Sequence, residues 1–253
     1  MPILTKNNQV LTAAGKVLIR EPSPLDLPNL KLYLSATRMP QYADGTAIPS
    51  FLDYSGNNYN ATQASGTLQP TFETNEFGVH AGIKFDAVND LMTLSGGALD
   101  IFKNINQFTA QAVFKRTALG TSQLIYQALI NTVAASRFVI SCGPTGIGLT
   151  IRVIDGGTSY SVAIPSNDLN PHMIQCTFTG GVVYVYLDGV FYGGTNVGGL
   201  TFSNTSSFGA TVGGSAVSGV YGANINGISV SQSYSDPSTI QAQYRGYKQR
   251  GYL

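Results

Sequence analysis

From Leu30 onward the chain alternates apolar and polar residues in short runs, each closed by Gly, Pro, Asn or Asp. LKLYLSA, GVHAGIKFD, FTAQAVFKR, RFVISC, GLTIRVID, SYSVAIP, HMIQCTF, VVYVYLD, SFGATVGG and INGISVSQS are examples. In Thr150 to Asp155, the Ile151, Val153 and Asp155 side chains fall on one face and Thr150, Arg152 and Ile154 on the other, the period of two of a half-buried strand. Strands this dense, with turn residues between them, predict an all-β, two-sheet antiparallel jelly-roll sandwich. A helical period arises only near the C-terminus. There Asp236-Pro237 has the form of an N-cap followed by proline at the first helical position, and Ile240, Tyr244 and Tyr247 follow at i, i+4 and i+7. One short helix is expected over 236–249, laying its Ile/Tyr stripe on the sandwich.

The most informative run is HMIQCTF–TGG–VVYVYLDGVFYGG. Asp188-Gly189 between alternating runs predicts a two-residue type I′ turn, so three consecutive strands form an antiparallel meander. One face of its middle strand carries Val183, Val185 and Leu187, the other Val182, Tyr184 and Tyr186. With the aliphatic residues toward the core, the tyrosines are expected to look outward or across the sheet.

Residues 1–28 differ from the rest. NNQVLT (7–12) is echoed by AGKVLI (14–19), which predicts two apolar strands joined by Ala-Ala-Gly as a hairpin, with Val10, Leu11, Val17 and Leu18 as its partner-facing side chains. REPSPLDLP follows, and its Pro22, Pro24 and Pro28 make a stiff linker. An isolated hairpin buries no core of its own, so this N-terminal arm needs a partner surface, either its own sandwich or another chain. The chain thus divides into an arm at 1–28 and a sandwich at 29–253, a length that one all-β core fills.

Composition narrows the function classes. The chain has 29 Gly, 14 Tyr and 12 Phe, no Trp, and 11% charged residues, against about 25% in an ordinary soluble domain. The formal net charge is +1 and no block of Lys or Arg stands out, which excludes the electrostatic footprint of a nucleic-acid binder. No apolar run reaches membrane-spanning length, and MPILTKNNQV lacks an apolar signal-peptide core, so synthesis in a cytoplasm is expected. Cys142 and Cys176 match neither a zinc nor a redox spacing and read as small buried hydrophobes.

Four segments, in order, resemble the concanavalin A-like, laminin-G-type jelly-roll family. They are LKLYLSATRMPQYADGTAIPSFLDYSGNNYNATQ, IKFDAVNDLMTL, NPHMIQCTFTGGVVYVYLDGVFYGG and YGANINGISVSQSYSDPSTIQAQY, which together cover about residues 30 to 247. The resemblance implies the fold already predicted and makes His172 a structural strand-start residue. Asp53-Tyr54-Ser55-Gly56-Asn57 reads as a turn in which Asp and Asn accept from nearby backbone donors, and Asp86 and Asp90 read the same way. Some family members bind calcium through loop oxygens. No loop here has the dense Asp/Asn alternation of a dedicated site, so no metal ligand and no cofactor is assigned, and the resemblance alone keeps calcium open.

Glycosidases of this fold place paired carboxylates on one strand. The three glutamates, Glu21, Glu73 and Glu76, lie in no such pattern, and Glu73 and Glu76 are expected as a solvated pair in a polar loop. His80 and His172 adjoin no nucleophile elbow, and the glycine-rich VGGSAVSGVYGANING precedes no amphipathic helix that would cradle a phosphate. The expectation is therefore non-enzymatic. Two readings follow. One is a bacteriophage virion-surface protein, attached to other virion proteins by its arm, oligomeric in some assemblies, and presenting a face to host or mucosal glycans. The other is a free bacterial lectin-like carbohydrate-binding module. In either, Tyr184, Tyr186 and Tyr192 are the candidate glycan-binding residues.

Overall fold

Alternation along Gln107–Arg116 divides its side chains between two environments. Phe108, Ala110, Ala112 and Phe114 enter the main core, while Thr109, Gln111 and Val113 face away from it and are nonetheless buried. The computed structural model explains both halves of this pattern: a second sheet covers one face and a helix the other. It describes residues 23–253 except 41, 95, 103–104, 130–136, 144–148, 156–157, 165–167, 198–208 and 216–219, together with the backbone of 5–6, 9–10, 12–13 and 16–17.

Among the described residues, a nine-stranded front sheet runs in the order Val190–Asn196, Val182–Leu187, Pro171–Thr179, Gln107–Arg116, Ala223–Ser231, His80–Lys84, Thr71–Phe77, Thr46–Ala47. Leu30–Ser35 also pairs with Ala223–Ser231. An eight-stranded back sheet runs Thr158–Ile164, Leu149–Asp155, Arg137–Cys142, Gln123–Leu129, Gly209–Val212, Met92–Leu94, Ala61–Thr62, Ser50–Phe51. Pairing in both is antiparallel, as predicted. Between them lies an aromatic centre in which Phe108 meets Phe102 edge-on at 5.2 Å and Phe138 at 5.2 Å, the geometry that ring quadrupoles favour. Both cysteines are buried there, and burial pushes the Cys142 thiol up to about 12.

The helix spans Pro237–Gln249, and the Asp236 carboxylate accepts from Thr239 N at 2.8 Å, the predicted cap. As expected, the helix lays its Ile/Tyr stripe on the sandwich. It lies on the outer face of the front sheet, where much of the surface beneath it is polar: Gln175 Nε2 donates to Ile240 O at 3.3 Å and to Gln243 Oε1 at 3.4 Å. Ile240 and Tyr247 are buried, but Gln243 is buried with them and Tyr244 only partly so. Tyr247 anchors a second small core with Phe77, Val113 and Met173.

Two further expectations change. QPTFETNEFG is largely strand, Thr71–Phe77, and its glutamates are separately engaged: Glu76 with Lys115 at 3.0 Å and Asn224 at 2.7 Å, Glu73 with Thr71 at 3.0 Å. In the arm, the single hairpin over 7–19 is replaced by two smaller ones, Thr5–Lys6 with Gln9–Val10 and Thr12–Ala13 with Lys16–Val17. Thr5 pairs with Val10 and Thr12 with Val17, so the echoed valines end consecutive copies of one register instead of facing each other. The side chains of Val10 and Val17, and all of Leu11 and Leu18, lie outside the described residues. Beyond the arm, Pro24–Asp26 form a 3-10 turn, Pro24 and Leu27 are buried, and Gln232 N donates to Asn29 O at 3.1 Å.

Candidate functional site

The meander closes through Asp188 (φ 51°) and Gly189 (φ 75°), both left-handed as a type I′ turn requires. Val183, Val185 and Leu187 point into the core, so Tyr184 and Tyr186 take the outer face, as expected. From the turn the register runs Leu187 with Val190, then Tyr186 with Phe191, and then Val185 with Gly193. Tyr192 is the extra residue of a bulge, the device by which strands re-aim a side chain. Paired with Tyr186 ahead of that bulge, Phe191 and not Tyr192 joins the tyrosines: its ring lies 5.4 Å from Tyr186 and 6.4 Å from Tyr184.

The first turns of the helix close the other side. Tyr184, Tyr186, Gly189, Phe191, Pro237 and Gln241 line a cavity of about 340 Å³. Tyr186 forms its floor at 5% exposed, while Phe191 is 54% and Tyr192 44% exposed at the rim and beyond. Burial raises the Tyr186 hydroxyl, and Tyr234, Tyr184 and the Asp236 carboxylate add to it, so the group stays a neutral donor.

His172 braces the turn. Its Nδ1 lies 2.7 Å from Asp188 Oδ2 and its Nε2 3.0 Å from Asp168 Oδ1, while Asp188 Oδ1 accepts from Met173 N at 2.9 Å. Burial alone lowers the imidazole; the hydrogen bonds and charges of Asp188 and Asp168 outweigh it and hold the histidine above its ordinary value. Its role is structural, as the sequence implied. Asp53 is likewise spent on the fold, accepting from Tyr33 N, Ser55 N, Ser55 Oγ and Tyr59 N at 2.8 to 2.9 Å. Asp86 Oδ1 accepts from the backbone of Val88, Asn89 and Asp90, and no cluster of three or more metal-ligating side chains occurs among the described residues.

The site therefore offers an aromatic floor and rim, phenol hydroxyls and one amide, with no carboxylate in its lining. Such a surface suits stacking on an apolar ring face and hydrogen bonding to hydroxyls, not proton transfer. Phe191 is the residue that pattern reading missed. Counting outward from the two-residue turn places it opposite Tyr186; the bulge that displaces Tyr192 leaves no mark on the alternation.

No protein-family model and no curated protein matches the chain. Its fold is similar to domain 4 of AbnA, an extracellular GH43 arabinanase from Geobacillus stearothermophilus, solved in complex with arabinotriose, at 14% identity and a TM-score of 0.61, covering 87% of this chain and all of that one. It is also similar to part of a Trypanosoma rangeli sialidase, at 16% identity and a TM-score of 0.63, over 99% of this chain and 37% of the sialidase. The binding domain of Botulinum Neurotoxin DC, in complex with SialylT, matches at 13% identity and 0.60, over 88% of this chain and 52% of that one. At these identities the likeness is one of fold.

Proposed function

We propose that the chain is a non-enzymatic carbohydrate-binding β-sandwich that takes a glycan across the pocket of Tyr184, Tyr186 and Phe191, with Tyr192 at its exposed edge. The observation that carries this is the pocket itself: three aromatic rings converge on an outer sheet face beside a helix that supplies Pro237 and Gln241. The sugar complexes of the similar arabinanase and toxin domains support the reading. Without tryptophan, stacking rests on tyrosine and phenylalanine, so weak affinity and avidity through several copies fit the chemistry. No metal is needed, because the loop carboxylates of Asp53 and Asp86 are committed to backbone donors. A glycan array probed with the full chain, with and without a chelator, tests this. Binding to at least one glycan class, unchanged by chelation and without glycan cleavage, is expected; loss on chelation or released sugar would refute it.

The finer reading is a bacteriophage virion-surface protein, made in the host cytoplasm and held to other virion proteins by residues 1–28. Its support is the arm, whose two tandem hairpins of identical register are too small to bury a core and require a partner surface. Its alternative is a free bacterial lectin-like module, for which such an arm has no use. Particles assembled with a chain lacking residues 1–22 should be bare of it; normal attachment would favour the free module.

A further inference from the structure

The helix has a second flank. Where its C-terminal end crosses Leu30–Ser35, a cavity of about 270 Å³ is lined by Ser23, Pro24, Leu25, Tyr33, Arg38, Tyr247, Arg250 and Tyr252. This lies apart from the aromatic pocket and shares no residue with it. Tyr33 and Tyr247 are 8% and 5% exposed and line the cavity side by side. Burial raises both phenols, so they remain neutral donors.

The two arginines are what set this cavity apart. Arg250 lies over the Tyr247 ring at 5.1 Å and the Tyr252 ring at 5.9 Å, and Arg38 over Tyr54 at 5.3 Å. Among the described residues neither guanidinium has a carboxylate partner, so both keep N–H donors for a ligand. No Asp or Glu lines the cavity, and Asp26 of the adjoining turn accepts from Ser23 N at 2.7 Å. A helix C-terminus normally repels anions through its free carbonyls. Here those carbonyls are taken: Gly246 O accepts from Arg250 N, Tyr247 O from Tyr252 N and Lys248 O from Gly251 N at 3.0 to 3.3 Å, and His80 caps Arg250 O while stacking on Tyr252.

We propose that this cavity binds a carboxylate-bearing ligand of about monosaccharide size, its carboxylate taken by Arg38 and Arg250 and its apolar body lying among Tyr33, Tyr247 and Tyr252. Arginine suits the task because its planar fork matches a carboxylate and its face stacks on aromatic rings. The volume, just below the roughly 300–1,000 Å³ of drug-sized ligand pockets, fits a single ring.

The test is calorimetric titration of the full chain with a matched pair, glucuronate and glucose, which differ in the carboxylate, with inorganic phosphate as competitor. Glucuronate binds and glucose does not. Arg38→Gln and Arg250→Gln each weaken glucuronate by about tenfold or more at unchanged melting temperature, and Arg250→Lys recovers part of the loss. Should a glutamine variant fail to fold, the wild-type pair still decides, together with a fall in affinity as salt rises. Equal binding of the two sugars, no binding of glucuronate, or wild-type affinity in both folded glutamine variants would overturn the proposal. Displacement of glucuronate by equimolar phosphate would overturn the carboxylate assignment.

Discussion

His172 shows how much of the candidate site depends on single polar contacts. Its imidazole is raised by Asp188 and Asp168, so its charged form contributes stability that is fully present below the unfolded value of about 6.5 and is lost as pH rises through the higher folded value. Asp168 is the counterpart: burial raises it, but hydrogen bonds from Asn170 and His172 outweigh this, so its contribution is lost as pH falls through the folded carboxylate value. An NMR titration of the His172 ring should therefore place its midpoint above 6.5, and Asp188→Asn should bring it down. Asparagine accepts the left-handed turn conformation, so the hairpin survives this change and only the charge is lost, at about 1–2 kcal/mol below pH 6. An unmoved midpoint would break the link between the turn and the histidine. Asp53 predicts a larger effect. Asp53→Ala leaves the buried Tyr33 N–H without its acceptor and should cost about 2–4 kcal/mol in denaturant unfolding.

Among the elements, the C-terminal helix was the easiest to read and the hardest to place. Its limits follow from Asp236-Pro237 and the Ile240 spacing, because caps and fixed proline geometry are local chemistry. Its seat on Gln111 and Gln175 was not legible, since glutamines on an alternating strand read as solvent-facing until something covers them. The same limit applies to the site. Tyr184 and Tyr186 follow from the aliphatic alternation of their strand, whereas Phe191 over Tyr192 follows only when the next strand is counted outward from the Asp188-Gly189 turn. Glu73 and Glu76 were misplaced because a polar edge-side strand looks like a loop. Asp236→Ala should cost about 1 kcal/mol in thermal unfolding and loosen the Pro237 and Gln241 wall, weakening glycan affinity with Tyr184 and Phe191 intact. Unchanged affinity would detach the helix from the site.

For the whole molecule, one helix laid across one sheet face gives two different cavities, aromatic beside its beginning and basic beside its end. The sandwich was legible from strand density and turn residues; the cavities were not, because each joins residues more than 40 positions apart in the chain. The arm was legible as an echo and not as a register. Removing residues 1–22 should leave the melting temperature within about 2 °C of the full chain, since the hydrogen bonds of Pro28 and Asn29 to the sandwich remain. A larger fall would make the arm part of the fold.

The central claim is that the cluster of Tyr184, Tyr186 and Phe191 reads a glycan, and calorimetric titration of the wild type and Phe191→Ala with the strongest glycan from the array tests it most directly. Phe191 is 54% exposed, so its truncation should change stability by less than about 0.5 kcal/mol. The account predicts that the variant loses about tenfold or more in affinity while melting with the wild type. Equal affinity in the two proteins would place the sugar elsewhere and contradict it.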